Sequence, residues 1–155
     1  MVYDEGDLFP DTALETPDGG CVKTSDFRGR KLVVFFYPKD NTPGCTTEAK
    51  DFSALKDEFA NAGTDILGIS KDSPQKHRNF IAKHDLTVPL ATDSAHGGLS
   101  DELGVWTEKK MYGKTFMGMV RTTYLIDADG RIARVWPKVK VKVHAQEVLE
   151  AARAL

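Results

Sequence analysis

The sequence predicts an α/β domain built on a mixed sheet, on three observations. Leu32 to Tyr37 is an unbroken apolar run, mostly β-branched or aromatic, the pattern of a strand buried on both faces of a sheet. Beyond it, Ala49, Phe52, Leu55 and Phe59 recur at helical spacing before a second strand, Asp65 to Ser70, so strand, helix and strand alternate. Near the end, Thr122–Ile126 and Ile132–Trp136 flank Asp127-Ala128-Asp129-Gly130, which reads as a hairpin around a tight turn.

Taken in order, residues 1–30 read as an irregular lead-in with a small hairpin turning at Thr16-Pro17-Asp18-Gly19-Gly20. The core strand Leu32–Tyr37 follows. Thr42 is a good N-cap and Pro43 a good first helical residue, which puts Cys45 in the first turn of a helix ended by Asn61-Ala62-Gly63. Asp65–Ser70 is the second strand. Ser73-Pro74 opens a second helix that runs to about Asp85, with Phe80, Ile81 and His84 on one face. Residues 86–120 carry weaker signals: a loop at Asp93–Gly98, a short helix at Leu99–Leu103, and Gly113 and Gly118 interrupting the rest. After the hairpin, Ala145, Val148, Leu149, Ala152 and Leu155 mark a closing amphipathic helix. The order β-α-β-α, insertion, β-β-α predicts a sheet that is parallel in its first half, closed by an antiparallel hairpin, with helices on both faces. It is the order of the thioredoxin-like fold, here with an N-terminal hairpin extension.

The 155 residues suit one domain spanning 1–155, with no repeat or linker. Hydrophobic residues at 41% and charged residues at 28% are those of a globular protein. A net charge of −2 gives no reason to expect nucleic-acid or acidic-membrane binding. The N-terminal residues 1–7 are acidic and lack an apolar stretch, so a signal peptide is not expected. No apolar run approaches the roughly 20 residues of a membrane span. The two cysteines, Cys21 and Cys45, form no C-x-x-C motif, which excludes a zinc ribbon and a local dithiol and makes a reducing cytoplasm the expected compartment. His77, His84, His96 and His144 have no metal-ligand spacing and read as surface or helix residues, so neither a metal nor another cofactor is called for.

The chemistry centres on Cys45. A helix start offers free N–H groups and a positive dipole end, which favour a thiolate over a thiol. An ordinary cysteine is only about 3% thiolate at pH 7, so full ionisation gains roughly 30-fold, or about 2 kcal/mol. Any large rate acceleration must therefore come from positioned donors.

The string Tyr37-Pro38-Lys39-Asp40-Asn41-Thr42-Pro43-Gly44-Cys45-Thr46-Thr47-Glu48-Ala49 contains Pro-x-x-x-Thr-x-x-Cys and resembles the signature of the peroxiredoxins, specifically their bacterioferritin-comigratory or PrxQ branch. Gly118-Met119-Val120-Arg121-Thr122-Thr123-Tyr124-Leu125-Ile126-Asp127 is similar to the second block of that family, and the likeness extends over nearly the whole chain. The resemblance implies a peroxidase acting on hydrogen peroxide and organic hydroperoxides. Cys45 would attack one peroxide oxygen and become a sulfenic acid. Thr42 would offer its hydroxyl to the peroxide, Arg121 would hold its guanidinium beside the thiolate, and Pro38 would shield the sulfur from water. Glu48 would orient Arg121; a carboxylate one turn from a thiolate makes sense only when a cation neutralises it.

Members of this branch often carry a second, resolving cysteine, either five residues after the first or in the following helix. Those positions are Lys50 and the neighbourhood of Ile81 here. Cys21, after the Gly19-Gly20 turn, is the remaining thiol and reads as incidental. The implied enzyme is a one-cysteine peroxiredoxin, a monomer or weak homodimer. Its partners would be a peroxide and an external thiol such as thioredoxin, glutaredoxin or glutathione. Two other readings compete: a thioredoxin-like disulfide reductase, which would share the fold but which the missing C-x-x-C disfavours, and a non-catalytic redox sensor or adaptor, which would not need the full Pro38, Thr42, Cys45 and Arg121 set.

Overall fold

The computed structural model describes residues 3–155; Met1 and Val2, where the acidic N-terminal segment begins, lie outside the described residues. A short hairpin, β1 (Ala13–Glu15) and β2 (Cys21–Lys23), is followed by a 3-10 turn (Thr24–Phe27) and the core strand β3 (Lys31–Phe36). Then come α1 (Pro43–Asn61), β4 (Thr64–Ser70), α2 (Pro74–His84), β5 (Leu90–Thr92) and α3 (Leu99–Leu103). The chain closes with β6 (Trp106–Met111), β7 (Lys114–Met119), β8 (Thr122–Ile126), β9 (Ile132–Trp136) and α4 (His144–Ala154).

The main sheet has seven strands in the order β2-β1-β5-β4-β3-β8-β9. β3 lies parallel to β4, and β4 to β5, while β8 runs antiparallel to both β3 and β9. The expected parallel half and antiparallel closure are both present. The N-terminal hairpin joins the same sheet through Glu15 opposite Thr92.

β3 explains the sheet's centre. Its side chains alternate between two cores, Val33 and Phe35 on one face and Leu32, Val34 and Phe36 on the other, so residues 32–36 are apolar at both phases. The first core takes Phe52 and Phe59 of α1, Phe80 of α2 and Val148 and Leu149 of α4. The second takes Leu99 and Leu103 of α3 together with Phe9, Leu14, Val105 and Met119. Helices thus cover both faces, three on one side and the short α3 with the lead-in on the other.

Residues 86–120 hold more structure than their sequence signals. β5 is a third parallel strand, too short at three residues to show a period. β6 and β7 pair only with each other. Their mostly exposed faces remove the need for alternating apolar residues, so the expected interruption at Gly113 and Gly118 is instead a hairpin. Tyr112 and Gly113 both have positive φ, 52° and 75°, the conformation of a two-residue hairpin turn. Gly118 lies inside β7.

Candidate active site

Sheet register brings the site together. Phe36, the last residue of β3, faces Thr122, the first of β8. The loop leaving β3 and the link entering β8 therefore lie side by side, at the carboxyl ends of the parallel strands where sites of α/β sheets form. Cys45 follows that loop and Arg121 ends that link. Arg121 is fixed at its backbone as well, since its carbonyl accepts from the N–H of Val139.

Cys45 is in the first turn of α1, 2% exposed. Glu48 is three residues on, hence on the same helical face, and is 1% exposed. One guanidinium serves both: Arg121 Nη2 donates to Cys45 Sγ at 3.3 Å and Nη1 donates to Glu48 Oε1 at 2.7 Å. A Cβ at Gly44 would stand 3.2 Å from Arg121 Nη2, so the absent side chain leaves room for the guanidinium.

Thr42 stands at the N-cap position of α1, but its side chain does not cap. Its hydroxyl donates instead to the Lys39 carbonyl at 2.8 Å. This corrects the expected cap and has a chemical consequence. The N–H groups of Gly44 and Cys45, which helix geometry leaves without intrahelical acceptors, are not taken by Thr42. Having given up its one proton, the Thr42 oxygen can only accept from a ligand. Pro38 is exposed where the loop leaves β3.

Burial and charge compete around Arg121. Burial raises Glu48 to about 7 against the lowering influence of Arg121, and Glu48 Oε2 is buried without a partner among the described residues. Burial disfavours the charge on Arg121, but Glu48 and Cys45 outweigh it and raise its pKa.

Several residues of this neighbourhood were unforeseen. His144, on α4, is buried rather than a surface residue; its Nε2 lies 2.9 Å from Thr123 Oγ1, and burial, with Arg121, lowers its pKa to about 4. His77, on α2, is also fully buried, with Nδ1 2.6 Å from Asp40 Oδ2. Lone histidines on helices give no sequence signal of burial. Lys109 of β6 is partly buried; burial and Arg121 lower its pKa while Cys45 works the other way, which locates it in the field of the site. Only recognition of the β6–β7 hairpin would have found it. Trp136 packs in the core; Trp106 is half-buried beneath Lys71, 4.9 Å from its ring centre. Met119 is core, whereas Met111, Phe116 and Met117 are exposed on the β6–β7 hairpin. Among the described residues no group of acidic, histidine or cysteine side chains could hold a metal. No helix among them is long and apolar enough to cross a membrane.

Cys21 is exposed on β2 at the sheet edge, and both cysteines are free. Register runs Cys21, Glu15, Thr92, Ser70 across adjacent strands, and Tyr37 donates its N–H to Ile69 next to Ser70. Four strand spacings, roughly 19 Å, thus separate Cys21 from the strand that leads to Cys45. A disulfide needs Cα atoms within about 7 Å.

The profile of the AhpC/TSA family matches residues 6–135. Peroxiredoxin Bcp of Bacillus subtilis is 44% identical over 153 residues, covering 99% of this chain and 97% of that one. The crystal structure of a cysteine-to-serine mutant of PrxQ from Xylella fastidiosa superposes with a TM-score of 0.91 at 38% identity, covering 98% of this chain and 96% of that one. The bacterioferritin comigratory protein of Xanthomonas campestris, solved as trapped intermediate and ligand complexes to study its alkyl peroxide reduction, superposes with a TM-score of 0.89 at 42% identity. It covers 97% of this chain and 98% of that one.

Proposed function

This chain belongs to the AhpC/TSA family and is a peroxiredoxin, a thiol-dependent peroxidase; from that premise we propose that Cys45 is its peroxidatic residue, served by Arg121, Thr42, Glu48 and Pro38. The observation that carries this reading is the single guanidinium shared by Cys45 Sγ and Glu48.

The Cys45 thiolate attacks one peroxide oxygen in line with the O–O bond. That bond breaks, its electron pair leaves with the other oxygen, and a proton completes water or an alcohol. The sulfur, oxidised by two electrons, becomes a sulfenic acid. Arg121 directs N–H groups at the place where charge moves from sulfur to oxygen. Thr42, its own proton bound to Lys39, accepts from the peroxide O–H and orients it. Glu48 holds Arg121 in place, and Pro38 takes the shielding role at the loop's start.

The substrates are hydrogen peroxide and organic hydroperoxides, the latter supported by the alkyl peroxide reduction of the X. campestris relative. With no sulfur at Lys50 or Ile81 and Cys21 four strands away, an external thiol recycles the sulfenic acid: thioredoxin, glutaredoxin or glutathione. The protein works as one domain over residues 1–155, a monomer or weak homodimer in the cytoplasm.

Peroxide consumption with dithiothreitol supplied tests the reading. Cys45→Ser is expected to abolish turnover and Cys21→Ser to keep most of it; equal losses in both would overturn the assignment of Cys45.

A further inference from the structure

The loop between β3 and α1 is gripped from outside by α2. Asn41 has φ 65°, left-handed for a residue with a side chain, so the loop's shape depends on its contacts. Asp40 is 7% exposed and held from three directions. Its N–H donates to Asp72 Oδ2 at 2.8 Å, and Asp72 is itself fixed by Ser70 Oγ at 2.7 Å. Tyr37 Oη donates to Asp40 Oδ1 at 2.6 Å. His77 Nδ1 lies 2.6 Å from Asp40 Oδ2. Two turns further along α2, His84 Nε2 donates to Asn41 Oδ1 at 2.9 Å. His84 is braced edge-on by Phe80, with ring centres 5.5 Å apart.

The hydrogen bonds orient the His77 ring. Its Nε2 faces the Ala91 carbonyl at 3.1 Å and must donate. Tyr37 has given its proton to Asp40, so toward His77 Nδ1, 3.3 Å away, the Tyr37 oxygen can only accept. His77 thus bridges the Ala91 backbone and the Asp40 side chain inside the core.

We propose that α2 is a clamp on the peroxidatic loop, with His77 acting through Asp40 and His84 through Asn41 as positioning residues for Thr42 and Cys45. Loop and clamp are continuous with the site. The Thr42 hydroxyl is tied to Lys39, the residue before Asp40, so a shift of Asp40 moves the oxygen that orients the peroxide. The inference rests on Cys45 being the peroxidatic residue.

The test compares two reactions of the same sulfur: oxidation by hydrogen peroxide in stopped flow, which needs the oriented donors, and alkylation by iodoacetamide, which does not. His77→Leu is expected to slow oxidation at least tenfold while alkylation stays within twofold of the native rate or rises. His77→Asn, which restores a donor toward Asp40, is expected to recover most of the oxidation rate. His84→Ala, which removes only the half-buried outer grip, is expected to slow oxidation severalfold and serves should His77→Leu fail to fold. Native oxidation rates in the folded variants would overturn the clamp. So would equal falls in both reactions, which would mean a change in the thiol rather than in positioning. Cys45→Ser, run alongside, separates the two proposals: peroxide turnover surviving in it would remove the underlying assignment, whereas normal histidine variants with an inactive Cys45→Ser would remove the clamp alone.

Discussion

Glu48 and His144 both feel the charge of Arg121, and burial drives their protonation in opposite senses. The carboxyl of Glu48 is raised from 4.5 to about 7, whereas the imidazole of His144 is lowered from 6.5 to about 4. Each is therefore shifted toward its neutral form relative to the unfolded chain. Neutral Glu48 contributes stability that is fully present below pH 4.5 and is lost as pH rises through 7, because the unfolded chain ionises that carboxyl freely. Neutral His144 contributes stability that is present above pH 6.5 and is lost as pH falls toward 4.

The two slopes oppose each other between pH 4.5 and 6.5, so the native protein is expected to be flatter in this window than either variant. Glu48→Gln is expected to lose stability more steeply than native toward acid. His144→Gln is expected to lose stability more steeply toward neutrality. Each change is on the order of 3 kcal/mol across its window. Urea unfolding at a series of pH values measures it, and identical pH profiles for all three proteins would refute the opposition.

Arg121 is expected to govern peroxide attack. Arg121→Ala should slow oxidation of Cys45 about 30- to 1000-fold, equivalent to about 2–4 kcal/mol of barrier. Arg121→Lys should recover little of it, because one ammonium cannot span Sγ and the Glu48 carboxylate as the guanidinium does. A native stopped-flow rate in a folded Arg121→Ala protein would make the arginine structural.

Thr42 is expected to act by its lone pairs. Thr42→Ser keeps the acceptor and should retain most of the oxidation rate. Thr42→Val should lose about tenfold or more, the scale of one unmade hydrogen bond. Equal rates for Ser and Val would leave the hydroxyl without a part in peroxide binding.

Recycling has a signature in intact mass. After one equivalent of peroxide the protein is expected to gain one oxygen, or to form a mixed disulfide when glutathione is present, and excess peroxide should carry it on to sulfinic acid. Loss of two hydrogens, with Cys21 and Cys45 joined in one pair of tryptic peptides, would instead make Cys21 a resolving thiol.

What the sequence made legible follows from where period and burial coincide. β3 is buried on both faces and announces itself as an apolar run. α1 and α4 bury one face and show a helical period, and Asp127–Gly130 turns the β8–β9 hairpin as expected. The β6–β7 hairpin buries little and β5 is three residues long, so neither carries a pattern. At the site, helix-start chemistry and the family resemblance pointed to Cys45, Arg121 and Glu48, which the fold brings into contact. They could not reveal that Thr42 turns its proton away to Lys39. Nor could they show that His77 and His144 are buried, because that depends on helices and loops far apart in the chain.

The distance across the sheet between Cys21 and Cys45 also has a kinetic meaning. A resolving thiol beside a sulfenic acid converts it to a disulfide in a first-order step, and only the later reduction of that disulfide draws on an external thiol. With the second thiol four strands away, the sulfenic acid itself would wait on a second-order encounter with an external thiol. On the proposed recycling, the fraction of molecules held as the sulfenic acid at steady state would rise as external thiol is depleted, so the resting oxidation state of Cys45 would gauge the thiol supply around the protein as well as the peroxide it meets.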